Sequence, residues 1–243
     1  MRIDGIQAVV FDYGNTLIEF SARQAHACDA RLAATLTTLF GPHDPAALRR
    51  IRSADRSAPY AGDPPEYREN DLPAITRAAV ETLHGRAPTD AELQTLLQTR
   101  FDAFVEVVTA DPDTVPVLER LAPRCRLALL SNYPDAPAIR ESLRRTGLAR
   151  FLDPVLVSAD IGRVKPHPLP FRLMQDALGL PPEQILYVGD NWLADVQGSR
   201  RAGWRSVWVT RWAPPEEMPR SAGDLQPDAV IPALRDLPPI LGL

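Results

Sequence analysis

Lysine is nearly absent from this sequence: of 27 basic residues one, Lys165, is lysine and 26 are arginine. High-GC codon usage that spared one position accounts for this count. So does a local need for a compact ammonium, which a planar guanidinium does not replace in a tight anionic site. Cysteine is scarce too, with only Cys28 and Cys125. A chain of 243 residues buries a core without a disulfide staple, so two reduced thiols are expected. Long hydrophobic runs are missing: no stretch approaches the roughly 18 apolar residues of a membrane helix, and Met1-Arg2-Ile3-Asp4 leads into a short apolar segment without a signal pattern. The expectation is a cytoplasmic protein with no membrane partner. Positive charge is not in excess, since the net charge is -4, so nothing supplies the broad basic field of a nucleic-acid binder. An anionic ligand would need a local site. With 45% hydrophobic and 24% charged residues, the composition is that of a globular chain, not a disordered or fibrous one.

What is present is an ordered alternation of patterns. Ile6-Gln7-Ala8-Val9-Val10-Phe11 is short, apolar and rich in β-branched residues, and it ends at the turn chemistry of Asp12-Tyr13-Gly14-Asn15. That predicts a buried strand delivering Asp12 at its carboxyl end. From about 21 to 108 apolar residues recur at three- and four-residue steps, as in Cys28, Leu32, Leu36, Leu39 and again in Leu93, Leu97, Phe101, Phe104, Val108, which predicts helices and no strand. Ser57 to Pro65 is too rich in proline and glycine to continue a helix. After Asp111-Pro112 helices near 114–121, 137–146, 171–178 and 193–202 alternate with strands near 126–130, 155–157, 185–188 and 206–209. Such alternation implies right-handed βαβ units and an α/β fold with a parallel sheet covered on both faces. Ligands of such sheets bind beyond the carboxyl ends of the strands.

Four strand ends or adjoining loops carry chemistry-bearing residues: Phe11-Asp12-Tyr13-Gly14-Asn15-Thr16-Leu17, Leu130-Ser131-Asn132, Gly162-Arg163-Val164-Lys165-Pro166, and Val188-Gly189-Asp190-Asn191 with Asp195 following. Singly each has a plain structural reading as a helix cap, a turn or a surface pair. Together, in this order on one sheet edge, they resemble the four motifs of the haloacid dehalogenase (HAD) superfamily, in its members with a helical cap after the first motif. The resemblance covers nearly the whole chain. It implies a Rossmann-like parallel sheet core of residues 1–19 and 109–243, with an inserted all-helical cap of residues 20–108.

The same resemblance implies hydrolysis of a small phosphorylated substrate. Asp12 is implied as the nucleophile that forms an aspartyl-phosphate, splitting one hard displacement into two easier ones. Thr16, Ser131, Asn132 and Lys165 are implied to contact the substrate, with Lys165 holding both Asp12 and the phosphoryl group. Two close carboxylates repel unless a cation lies between them. Asp12, Asp190, the carbonyl of Gly14 and, further out, Asp195 therefore make an all-oxygen set suited to Mg²⁺.

One position departs from the pattern. The phosphatases of this superfamily usually read Asp-x-Asp in the first motif, the second acid protonating the leaving group, and Gly14 stands there instead. Asn15 does not titrate and is no direct substitute. His26, Asp29 and Tyr60 are candidate replacement donors in the helical segment. Three functions stay open: a Mg²⁺-dependent phosphatase, a non-catalytic phosphate- and metal-binding module, and a 2-haloacid dehalogenase. The dehalogenases carry Tyr at that position and need no metal, so Gly14 with Asp190 fits them poorly. A phosphonate-cleaving enzyme would need a cap lysine, and residues 20–108 contain none. Arg56, Tyr60, Tyr67 and Arg68 are candidates for selecting the organic part of the substrate, and Trp192 for lining the entrance.

Overall fold

The computed structural model describes residues 2–212 and 221–243. Six parallel strands form one sheet in the order β3-β2-β1-β4-β5-β6. They are β1 (Ala8–Phe11), β2 (Arg126–Ser131), β3 (Val155–Val157), β4 (Ile185–Gly189), β5 (Arg205–Val209) and β6 (Ala229–Ile231). Their apolar runs reflect burial on both faces. Val9 and Phe11 join Leu127, Leu129, Leu186 and Val188 in one core layer. Ala8 and Val10 point the other way, onto Leu130, Phe171, Tyr187 and Trp204.

Between β1 and β2 the chain forms α1 (Ala22–Phe40), α2 (Pro45–Ser57), α3 (Leu72–His84), α4 (Asp90–Val107) and α5 (Thr114–Leu121). The first four have a small core of their own, in which Leu32, Leu36, Leu48, Val80 and Leu96 pack together. Asp44, Asp71 and Thr89 cap three of these helices with their side-chain oxygens. The chain leaves the sheet region at Ile18 and returns at Ala110, where the two residues pair antiparallel. Entry and exit thus lie side by side, next to the carboxyl end of β1.

The remaining helices are α6 (Ala136–Arg145), α7 (Ser158–Ile161), α8 (Pro168–Leu178), α9 (Gly198–Arg201) and α10 (Leu237–Ile240). The sequence pattern predicts one helix from 193 to 202; instead Trp192–Gln197 is a wide π-helical turn that α9 continues. The widened turn places Asp195 beneath Gly189, where a β-carbon would come within 2.3 Å of Asp195 Oδ2, so only glycine admits this approach. Strand β6 has no counterpart in the sequence reading. Among the described residues no helix is long and apolar enough to cross a membrane.

Candidate active site

The chain direction across the sheet reverses at β1, which has β2 on one side and β4 on the other. Phe11 is in register with Leu129 of β2 and Val188 of β4. Asp12, Ser131 and Asp190 therefore emerge together at the switch point of the sheet. They line one cavity of about 250 Å³ with Gly14, Asn15, Asn132, Lys165 and Asp195, and the helical segment contributes Phe20, Tyr60 and Phe104 to its wall. Of the residues that the sequence assigns to nucleophile, phosphoryl group and metal, Thr16 is not part of this lining. Its hydroxyl is buried and has no hydrogen-bond partner among the described residues.

Lys165 is the centre of the arrangement. It is 1% exposed, and its Nζ donates to Asp12 Oδ1 at 2.8 Å, to Asp195 Oδ1 at 2.7 Å and to the Tyr187 hydroxyl. Tyr187 passes the chain on to the Leu130 carbonyl at 2.8 Å. Burial disfavours a cation here, but the carboxylates of Asp12 and Asp195 outweigh it and hold the ammonium above its ordinary pKa. All three ammonium protons are thereby used, so Lys165 faces the cavity as a fixed charge.

The acids are crowded. Oxygens of Asp12, Asp190 and Asp195 lie within 4.8 Å of one another. Burial pushes Asp12 up to about 6 against the pull of Lys165, with Asp195 adding to the rise. Asp190 is pushed well above the ordinary carboxylate range by burial and by the charges of Asp12 and Asp195. Asp195 is different in kind: Oδ1 accepts from Lys165, and Oδ2 accepts from the Asn191 backbone N–H at 2.9 Å. Both its oxygens are spent inside the protein, which makes it a support for Lys165 more than a ligand for an added ion.

Two asparagines do work that their motifs do not announce. Asn15 adopts φ 57°, a left-handed conformation that asparagine tolerates. Its Oδ1 accepts from Phe20 N at 3.0 Å, and its amide group bonds Asp190. Asn132, expected at the substrate, turns its amide onto the backbone of Lys165. Its Oδ1 accepts from Lys165 N at 2.8 Å and its Nδ2 donates to Lys165 O at 3.0 Å. The second Nδ2 proton goes to the Tyr60 hydroxyl at 3.1 Å. This side chain is fully used in positioning.

The helical segment is tied to the Lys165 loop as well. Arg68 pairs antiparallel with Arg163, Val164 N donates to Tyr67 O at 2.8 Å, and Ser158 Oγ donates to Glu69. Behind this seam lies a second cavity of about 280 Å³, sharing Phe20, Tyr60, Asn132 and Tyr133 with the first and lined also by Cys28, Arg52, Arg56, Ile75 and Arg100. Arg52 is paired with Asp29 at 3.0 Å and with Asp55 at 3.5 Å. The hydrogen bond found for Arg100 is a long one, 3.5 Å to the Thr76 hydroxyl. Burial and the neighbouring Arg52 lower its pKa to about 10, which leaves it charged at neutral pH. Trp192 does not line the Asp12 cavity: it is buried, with its ring centroid 5.0 Å from that of Trp208 and its indole N–H on Asp224.

Comparison with known proteins agrees with this geometry. The family model described as haloacid dehalogenase-like hydrolase matches residues 6–203. A phosphoserine phosphatase of Thermus thermophilus is 46% identical over 101 residues, which cover 41% of this chain and 39% of that protein. A phosphoglycolate phosphatase of Shigella boydii is 28% identical over 259 aligned residues, covering 100% of this chain and 95% of that protein. Among solved structures, a 2-haloacid dehalogenase from Pseudomonas syringae pv. Tomato superposes with a TM-score of 0.73 at 27% identity, over 98% of each chain. With the family matched across strands β1 to β4, the inserted helices and all four strand-end motifs, the chain belongs to the haloacid dehalogenase-like hydrolases.

Proposed function

We propose that the protein is a Mg²⁺-dependent phosphatase that cleaves a small phosphorylated metabolite through a phosphorylated Asp12. The observation that carries this reading is the convergence of Asp12, buried Lys165 and Asp190 on one cavity at the switch point of the sheet. Asp12 Oδ1 is held by Lys165, which leaves Oδ2 to attack phosphorus. The fixed ammonium offsets negative charge beside the phosphoryl oxygens without reorganising during the reaction. Ser131 stands at the cavity wall to donate its hydroxyl to one of those oxygens.

The donor set fits Mg²⁺. Asp12 and Asp190 offer carboxylate oxygens, the Gly14 carbonyl lies between them in the chain, and Asp195 steadies the set through Lys165. The raised pKa values of Asp12 and Asp190 mark a surplus of negative charge that a divalent cation would offset. Bound there, the ion supplies Lewis-acid polarisation and a template for the phosphoryl group.

Residues 1–19 and 109–243 act in this reading as the catalytic core, and residues 20–108 as a cap that carries selectivity. The cavity behind Tyr60 takes the organic part of the substrate, and Arg100 offers it a cation that, although Asp29 and Asp55 stand in the same cavity, makes no ion pair among the described residues. A substrate bearing a carboxylate in addition to its phosphate suits that site. Two relatives carry names, phosphoserine phosphatase and phosphoglycolate phosphatase, whose compounds have both groups. Two free thiols fit a reducing compartment, and we assign the protein to the cytoplasm.

The likeness to a 2-haloacid dehalogenase supports a second reading, in which Asp12 attacks carbon and halide leaves. One experiment separates the functions: a panel of phosphate monoesters and 2-haloacids, assayed with Mg²⁺ and with EDTA, using Asp12→Asn as the blank. Release of inorganic phosphate that needs Mg²⁺ and vanishes in Asp12→Asn is the expected result. Halide release indifferent to EDTA establishes the second reading, and turnover of neither class leaves a binding module.

A further inference from the structure

With Gly14 in place of an acid, the first motif offers no proton to the departing oxygen, and lack of a general acid slows such a step by about 10²–10⁴. The structure sorts the three replacement donors. His26 lies in a crevice with Ala30, Pro45 and Arg49, apart from the Asp12 cavity. Asp29 is ion-paired with Arg52 at 3.0 Å and Arg56 at 3.6 Å. Tyr60 lines the same cavity as Asp12, on the side the helical segment contributes, and it also borders the cavity behind. It is thus shared by the cavity that holds Asp12 and the cavity behind it.

The direction of its hydrogen bond shows that its proton does not point at Asn132. Asn132 must present Oδ1 to the Lys165 N–H and Nδ2 to the Lys165 carbonyl, so the amide has a single orientation. The group 3.1 Å from the Tyr60 oxygen is therefore an N–H donor, and the phenol accepts. Its own O–H is not consumed by that bond. Of the other tyrosines of the cavity, Tyr13 has its hydroxyl bonded to Ser142 at 2.8 Å, and the Tyr133 ring packs tilted against Phe104 with ring centroids 4.3 Å apart.

We propose that Tyr60 is a catalytic residue of this phosphatase, giving its phenolic proton to the oxygen of the leaving group. The inference rests on the phosphatase reading and deepens it. As Asp12 Oδ2 forms its bond to phosphorus, the bond from phosphorus to the ester oxygen breaks with its electron pair on oxygen. The Tyr60 proton moves to that oxygen, and the alcohol leaves. Water then attacks the phosphorus of phosphorylated Asp12, its proton passes to the Tyr60 phenolate, and inorganic phosphate and free Asp12 are regenerated. One water is consumed and each group returns to its starting state. An alkoxide is more basic than a phenolate, so the transfer runs downhill. Burial raises the Tyr60 pKa and keeps the phenol protonated at neutral pH, while Lys165, Asp195 and Glu69 are the charged groups in its field.

The test is Tyr60→Phe, which keeps the ring and its edge-to-face contact with Tyr67. kcat/KM is measured over phosphate monoesters from nitrophenyl to alkyl. The expected loss is graded, about 10²-fold for alkyl esters and at least tenfold smaller for nitrophenyl phosphate. An equal loss on every ester overturns the proposal and leaves Tyr60 as a support for Asn132; no loss on alkyl esters overturns it outright. A fluorotyrosine at position 60, with a more acidic phenol, provides a second readout should the Phe variant not fold. It moves the alkaline limb of kcat to lower pH if Tyr60 is the donor and leaves it in place otherwise. Failure of the unsubstituted protein to hydrolyse any ester is seen before any substitution, and it defeats the phosphatase reading instead.

Discussion

Asn132 grips Lys165 by both of its backbone polar groups, accepting from N at 2.8 Å and donating to O at 3.0 Å. The grip sets the origin from which the Lys165 side chain reaches Asp12. Asn132→Ala leaves two backbone groups without their partners at a cost of about 1–3 kcal/mol each where water does not replace them. The expected outcome is a lower melting temperature and a kcat loss of similar size for every ester. A variant that melts normally and turns over normally would show that the grip is incidental.

Lys165 has three donors and three oxygens around it, in a space with 1% exposure. Arginine keeps the charge but is larger and planar, and overpacking of this kind costs about 1–3 kcal/mol. Lys165→Arg is expected to fold, melt lower and lose most turnover. Retention of full activity on any substrate of the wild type would remove Lys165 from the chemistry.

If the acid cluster holds Mg²⁺ as proposed, binding depends on pH. Raised carboxylate pKa values mean that the metal-free folded protein binds protons more tightly than the unfolded chain does. Asp12 therefore lowers stability progressively as pH rises from its ordinary 3.8 toward about 6. Mg²⁺ has to displace those protons, so its affinity weakens as pH falls below about 6 and gains further above it as Asp190 ionises. Calorimetric titration at pH 5 and pH 8 checks the direction. The same titration on Asp190→Asn is expected to show most of the affinity gone; equal affinity in the two proteins would place the ion elsewhere.

The parts of this site that sequence makes legible are those set by local pattern. Asp12 and Asp190 each follow an apolar run that ends in turn chemistry, so the strand that delivers them can be read without the fold. Lys165 is visible because it stands alone among arginines. The grip of Asn132 on Lys165 spans 33 residues and its bond to Tyr60 spans 72, and neither contact has a local signature. The resemblance places Thr16 and Asn132 at the substrate, whereas packing buries the first hydroxyl and spends the second amide on the backbone. Strand β6 escapes notice because three residues, one of them exposed, carry too little alternation to register. The helix expected at 193–202 opens into a π turn because Asp195 must reach both Lys165 and Asn191 N.

Arg100 tests the selectivity proposed for the helical segment. A half-buried guanidinium whose hydrogen bond to Thr76 is 3.5 Å long has donors to spare for an anion. Arg100→Leu is expected to raise KM for phosphorylated carboxylic acids about tenfold or more, and to leave KM for their uncharged analogues within about twofold. Equal effects on both substrate types would mean that the residue serves packing of α4 and not recognition.

Gly14 offers a way to put the missing acid back. Its φ is outside the left-handed region, and a β-carbon there would lie 3.6 Å from Phe20 Cβ, an ordinary contact, so a side chain can be added without strain at that atom. If Tyr60 already donates the proton, Gly14→Asp alone changes little for alkyl esters. In the Tyr60→Phe background the same carboxyl is expected to recover much of the alkyl-ester rate, toward the factor of about 10²–10⁴ that a general acid supplies. The added acid joins a cluster in which burial raises the pKa of Asp12 and Asp190 and the charge of Asp195 adds to both, and this crowding favours the protonated form that a donor needs. Steady-state rates for both single variants and the double variant, across leaving groups of graded basicity, give the answer. Recovery confined to poor leaving groups assigns the two positions the same role. A gain from Gly14→Asp alone that matches its gain in the double variant would mean that the two positions act independently and that Tyr60 is not the donor.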